Sequence, residues 1–345
     1  MSLVQIRKRT RRTIPWAVAL VLAVVLAAPS AFVARAQDGT PAADLSELSG
    51  EISSDGSSTT GPITQAVAEE FNAIAPDVEV SVDISGTGAG FDRFCLGETD
   101  IQNASRPIEE QEACAENGVD YYEFEVAFDG LTVVVNEEND FLTCMNVEAL
   151  NLLWQLDSPV TTWADLNPEF PDEEIALYGP GTDSGTFDFF VETILGEDGE
   201  IREDFTPSED DNVLVEGVAG DENALGYFGY AYYIENEDSL NAVAIDNGDG
   251  NCVLPSPETV RDGTYAPLSR PLYIYLNAAS LDRPEIQEFM RFYLANAAEL
   301  SADVGFVASP DDVYAADADK LEGAIAGTAE PDGPAGAGGE ATPEA

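Results

Sequence analysis

The sequence predicts an α/β protein of two domains, and three observations carry that prediction. Short apolar strands alternate with helical patterns along most of the chain. The run Val126 to Asn136 is apolar almost throughout, as a strand covered on both faces must be, and Pro267 to Leu276 offers a second such run to return the chain. Four times, a loop of glycine and small hydroxyl residues stands where a helix should start, three before the first crossing and one after it.

Taken in order, Glu51–Ser54 reads as a strand entering the loop Asp55 to Pro62. Ile63, Val67, Phe71 and Ile74 then mark the buried face of a helix with Pro62 in its first turn. Val78–Val82 is a second strand, feeding Ser85-Gly86-Thr87-Gly88-Ala89-Gly90-Phe91 and a short helix through Phe94. A third unit follows at 100–108, where Ser105 is expected to cap a helix beginning at Pro107. Beyond the first crossing come helical stretches at Val147–Gln155 and Trp163–Leu166. Next are the loop 178–190, with Phe187, Phe190, Val191, Ile194 and Leu195 at helical spacing, and the tyrosine-rich run Ala224–Tyr233. That helix should open near Asp183 or Ser184. Pro284–Ala295 completes the first domain as an amphipathic helix.

The ends and the composition bound the function. Arg7, Lys8, Arg9, Arg11 and Arg12, the apolar stretch Ala17 to Ala28 and Ala34-Arg35-Ala36 form a secretory signal over residues 1–36, so the remainder is expected to be soluble and periplasmic or extracellular. The chain of 345 residues has 14 basic and 66 acidic residues, a net charge of −52, and no histidine. Without the signal, 8 basic residues remain against 66 acidic ones. Nucleic acid and anionic membrane surfaces are poor partners for such a chain. Four cysteines in an exported chain point to two disulfides, with Cys95–Cys114 and Cys144–Cys252 favoured among three pairings; no C-x-x-C pair suggests zinc. The boundaries expected are a disordered lead-in at 37–48, domain I at 49–130 and 271–326, domain II at 131–270, and a disordered tail at 327–345, which is nearly devoid of apolar residues.

A helix start offers free N–H groups and a positive dipole end, and hydroxyls with glycine let an anion approach closely. One such loop is usually just a capped helix. Four of them, at 56–60, 85–91, 105–107 and 183–187, can converge on one small anion if a hinge closes the halves. Arg106 brings one of few basic side chains to the third loop and is expected to be the only cation in the cleft. The G-x-G at 86–90 lacks a dinucleotide fingerprint and no P-loop lysine follows, so neither nucleotide nor other cofactor is called for.

With Gly56-Ser57-Ser58-Thr59, Ser85 to Phe91, Asn103-Ala104-Ser105-Arg106-Pro107 and Asp183-Ser184-Gly185-Thr186 in this order, residues 49–325 resemble the periplasmic phosphate-binding proteins of ABC-type phosphate importers. The resemblance implies a type II periplasmic solute-binding protein fold, two α/β domains joined by a two-strand hinge. It also implies a monomer that holds inorganic phosphate in its cleft and hands it to a membrane ABC permease. Matching motif by motif, it implies Ser58, Thr59, Thr87, Ser184, Gly185 and Thr186 as ligands, beside Arg106. The family's best-known pattern has an arginine four residues before the Ser-Gly-Thr serine and an acid in the loop matching 103–107; here those places hold Pro180 and Arg106. The arginine has the look of one moved between loops, and Asp183 and Asp188 are candidates for the missing acid. Sulfate is the alternative oxyanion. A secreted phosphate-ester hydrolase using Ser184 is disfavoured, because the chain has no histidine base and no Gly-x-Ser-x-Gly elbow, and the protein is expected not to be an enzyme.

Overall fold

The computed structural model describes residues 45–182, 184–196 and 199–334. The segment read as a secretory signal, most of the expected lead-in, Asp183 and the end of the expected tail lie outside the described residues. Three strand–loop–helix units open the chain. β1 (Ser49–Gly56) leads to α1 (Gly61–Ile74), β2 (Asp77–Val82) to α2 (Thr87–Phe94), and β3 (Ile101–Ala104) to a non-helical stretch before α3 (Gln111–Asn117). β1 pairs in parallel with both β2 and β3, so the loops leaving all three strands emerge at one sheet edge, where α/β sheets bind ligands.

β4 (Tyr121–Asn136) is the long crossing strand. After it come β5 (Cys144–Asn146), α4 (Val147–Trp154), α5 (Trp163–Leu166), β6 (Ala176–Pro180), α6 (Gly185–Phe190), β7 (Thr206–Ser208), α7 (Asp211–Ala219), β8 (Ala224–Gly229) and α8 (Tyr230–Glu235). The short strands β9 (Leu240–Ala242), β10 (Ala244–Asp246) and β11 (Cys252–Val253), then α9 (Pro257–Arg261), lead to the return strand β12 (Ser269–Asn277). The chain ends in α10 (Pro284–Asp303), β13 (Val307–Ala308) and α11 (Asp311–Ile325). The main sheet runs β2-β1-β3-β12-β4-β8-β6-β7, with β12 and β4 antiparallel at its centre.

Two large apolar cores flank those central strands. Phe124, Val126, Leu272 and Ile274 join Ile63, Val67, Phe71, Phe289 and Tyr293 in one, while Leu131, Val133 and Val135 join Trp154, Trp163, Phe190 and Tyr227 in the other. β4 thus changes core between Ala127 and Phe128. Both disulfides form as favoured. Cys95–Cys114 ties the end of α2 to α3, and Cys144–Cys252 pins the small sheet β11-β10-β5.

Several expectations need correction. Ile74 is 44 % exposed, since it is the last residue of α1 and lies past the buried stripe. No helix starts at Pro107: Ile108 is drawn inward, buried, with its N–H donating to Tyr275 Oη, and the helix opens only at Gln111. The helix from Pro284 runs on to Asp303. Leu45 and Leu48, in the supposed lead-in, pack on the first core. The start of the supposed tail is likewise fastened, with Tyr121 N–H donating to Gly333 O (2.6 Å), Asp332 N–H to Tyr121 O (2.9 Å), and Asp332 accepting from Glu123 N–H (2.8 Å).

Candidate functional site

A cavity of about 350 Å³ opens where the strand ends of the two halves meet. It is lined by Ser57, Ser58, Thr59, Gly86, Thr87, Gly88, Ser105, Arg106, Asp188, Glu192 and Arg270. Three of the four anticipated loops therefore line one space, and the fourth borders it through α6.

The loops are fixed from beneath by buried polar groups. Asp55, fully buried, accepts from Gly56 N–H (2.7 Å) and Ser85 N–H (3.1 Å) and pairs with Arg93, tying the loops after β1 and β2 to α2. Ser57 Oγ accepts from Thr59 N–H (3.1 Å) and Thr60 N–H (3.3 Å), serving the entry to α1 as a cap does. Thr60 donates to Ala104 O and joins the loop after β3 to this group. Gly90 lets α2 reach β1, because a Cβ there would stand 2.6 Å from Gly56 Cα. Thr87 and Ser105 meet hydroxyl to hydroxyl at 3.0 Å.

From the other side, Ser184 Oγ caps α6 by accepting from Thr186 N–H (3.2 Å), an acceptor role that does not use its O–H. Ser184, Gly185 and Thr186 do not line the cavity, although Gly185 touches its wall. Gly185 O accepts from Thr59 Oγ1 at 3.5 Å, and a Cβ on Gly185 would come within 2.6 Å of that oxygen. Ser58 Oγ donates to Asp188 Oδ2 (3.2 Å).

The expectation of a single cation fails: Arg270 shares the cavity with Arg106. Arg270 is the better placed of the two, its side chain 14 % exposed against 32 % for Arg106. Its Nη2 donates to Thr59 Oγ1 (2.8 Å) and to Gly185 O (3.5 Å), its Nε to Asp129 (3.3 Å), and its Cζ lies over the Phe189 ring, 3.9 Å from the centroid. Register explains the pairing, since Arg270 on β12 stands opposite Asp129 on β4. Burial pushes the Arg270 pKa down, against the opposing field of Asp129, and burial likewise raises the Asp129 carboxyl, Arg270 offsetting only part of that rise. Both groups are thus under desolvation strain, and an incoming anion relieves that of the guanidinium. Arg106 forms a two-pronged pair with Glu110, at 2.7 and 3.2 Å. Burial raises the Glu110 carboxyl, but its bonds from Arg106 and from the Glu109 N–H outweigh that and leave it below the usual range.

Loop reasoning missed Arg270 because it lies on a strand. The signal was present nonetheless: a lone arginine in one apolar crossing and a lone aspartate in the other each need a buried partner. Glu192, four residues past Asp188, was also missed; Asp188 was named, and Asp183 lies outside the described residues.

The match to known proteins follows the same outline. Residues 40–297 match the model of the PBP superfamily domain. The chain is 48 % identical over 281 residues to Protein SphX of Synechocystis, covering 80 % of this chain and 83 % of that one. It is 41 % identical over 286 residues to the phosphate-binding protein PstS of Staphylococcus saprophyticus, covering 82 % and 88 % respectively. Among solved structures, a possible phosphate binding protein from Planctomyces limnophilus superposes with a TM-score of 0.77 at 48 % identity, over 80 % of this chain and 99 % of that one. With its α/β units, paired cores and two crossing strands, the chain belongs to the PBP superfamily and within it to the family of the PstS and SphX proteins, and its fold is the type II fold of periplasmic solute-binding proteins.

Proposed function

We propose that this protein is an extracytoplasmic receptor that takes inorganic phosphate into the cavity between its two halves and delivers it to an ABC permease. The observation that carries this reading is the largely buried Arg270 guanidinium, which lines with Thr59 a cavity whose other walls include the hydroxyls of Ser58, Thr87 and Ser105 and the rim Arg106, with Asp188 and Glu192 as its two acids. That is the donor set a desolvated oxyanion requires, with charge and fork geometry together. The proposed ligands are Ser58, Thr59, Thr87, Arg106 and Arg270, with Ser184, Gly185 and Thr186 contributing from the start of α6. Domain I (49–130 and 271–326) and domain II (131–270) would close on the ion about β4 and β12. The names of the relatives, a phosphate-binding protein among them, support the same ligand.

Asp188 favours phosphate over sulfate. Its carboxylate faces the cavity, accepting from Ser58, and can accept the proton that monohydrogen phosphate carries and sulfate lacks. Against sulfate it would be an unpaired acceptor and a like charge. Calorimetric titration tests the reading: phosphate and arsenate should bind, and sulfate should bind at least about a hundredfold more weakly, the equivalent of roughly 2.7 kcal/mol. Equal binding of sulfate would contradict it.

A further inference from the structure

We infer that Glu192 closes the mouth of the cavity by pairing with Arg106 across it, a positioning role that rests on the phosphate reading. Glu192 lies on the π-helical turn Val191–Leu195 that continues α6, exposed, and lines the same cavity as Arg106 and Arg270. Such turns recur at functional sites because the extra residue re-aims the side chains that follow. Arg106 comes from the opposite side, on the loop after β3.

The hydrogen bonding of Arg106 leaves room for a second carboxylate. Its Nη1 donates to Pro107 O (3.1 Å) and Glu110 Oε2 (3.2 Å), and its Nη2 to Glu110 Oε1 (2.7 Å). A guanidinium has five N–H groups, so the Nε–H and one Nη2 hydrogen have no acceptor among these bonds. The Glu110 bonds raise the Arg106 pKa, against some loss by burial, and the field of Glu192 adds in the same direction, reaching Arg270 as well. A carboxylate at the mouth of an anion site would by itself weaken binding. Paired with Arg106 over a bound ion, it instead slows escape.

These two roles have opposite signs, which makes them separable. Mature full-length protein and its Glu192→Gln, Arg106→Gln and double variants are compared by equilibrium titration and stopped-flow release of inorganic phosphate, with Tm as a check on folding. The clasp predicts that Glu192→Gln releases phosphate about two- to fivefold faster, the range of a partly exposed ion pair, with Tm unchanged. It also predicts that the double variant is no worse than Arg106→Gln, and that the Glu192 effect fades in high salt. If Glu192→Gln binds phosphate as tightly as the parent or more tightly, or if the two effects simply multiply, the clasp is wrong while the phosphate reading stands. A parent that takes up no phosphate overturns the reading of the site, and the clasp with it.

Discussion

Arg270 reaches across the cavity from β12, donating to Asp129 beneath it and to Thr59 beside it and lying over the Phe189 ring. Loop chemistry was legible because serine, threonine and glycine at helix starts have a local cause, whereas the Arg270–Asp129 pair arises only when two strands, 141 residues apart at these positions, come into register. Replacing Arg270 by lysine should keep the charge, lose the fork and the stacking on Phe189, and weaken phosphate binding by about tenfold or more. Alanine should cost roughly 3–5 kcal/mol, because Asp129 would be left buried and unpaired; the Asp129→Asn/Arg270→Gln double variant should recover stability but not affinity, as thermal melts and titrations would show. Gly185→Ala tests the contact across the cavity. Its Cβ would strike Thr59 Oγ1, so the halves must part slightly and phosphate affinity should fall with little change in Tm.

Among the elements, β1 to β4, β12, the helices α1, α2, α4, α5, α6 and α10 and the favoured disulfide pairing were legible, since each follows from a local pattern or from the spacing of cysteines in an exported chain, whereas the short strands of the second half and the helices α7 and α11 went unread. The errors lie where distant partners intervene. Ile108 is pulled into an aromatic cluster by Tyr275, which leaves Ser105 facing Thr87 rather than capping a helix. Residues 328–334 have little apolar content, yet they satisfy the N–H groups at the start of β4, and Asp332 pairs with Lys320 (3.3 Å). Ending the chain after Gly327 should therefore remove about 1–3 kcal/mol of stability and a few degrees of Tm. Ending it after Pro334 should leave the strap in place. A melt that failed to distinguish the two truncations would show that the strap contributes nothing.

At the scale of the molecule, acidity sets the response to pH and salt. Burial, then the neighbouring Asp210 and Glu209, raises Asp211 to about 6, and burial raises Asp317 to about 6 against the pull of Lys320. For an acid whose folded pKa is raised, the native state binds more protons between about 3.8 and 6, so stability must increase as pH falls through that window. Each group can contribute up to about 3 kcal/mol. Tm should accordingly be higher at pH 5 than at pH 7, and Asp211→Asn should shrink that difference. Below about pH 4 the gain should reverse, as Asp100, held low by Arg283 and its Ser53 and Ser280 bonds against the effect of burial, becomes protonated. A net charge of −52 also opposes the approach of an anion, so added salt should speed phosphate association. Among the described residues, no helix is long and apolar enough to cross a membrane. The central claim is that one oxyanion is held between the loops of both halves by Arg270 and the hydroxyls. The test is a crystal structure of residues 37–345 grown with phosphate. Phosphate oxygens should lie at hydrogen-bond distance, about 2.7–3.2 Å, from Arg270, Thr59 and Thr87, with Asp188 within reach of the remaining proton. Phosphate bound elsewhere, or held in this cavity without contact to Arg270, would contradict it.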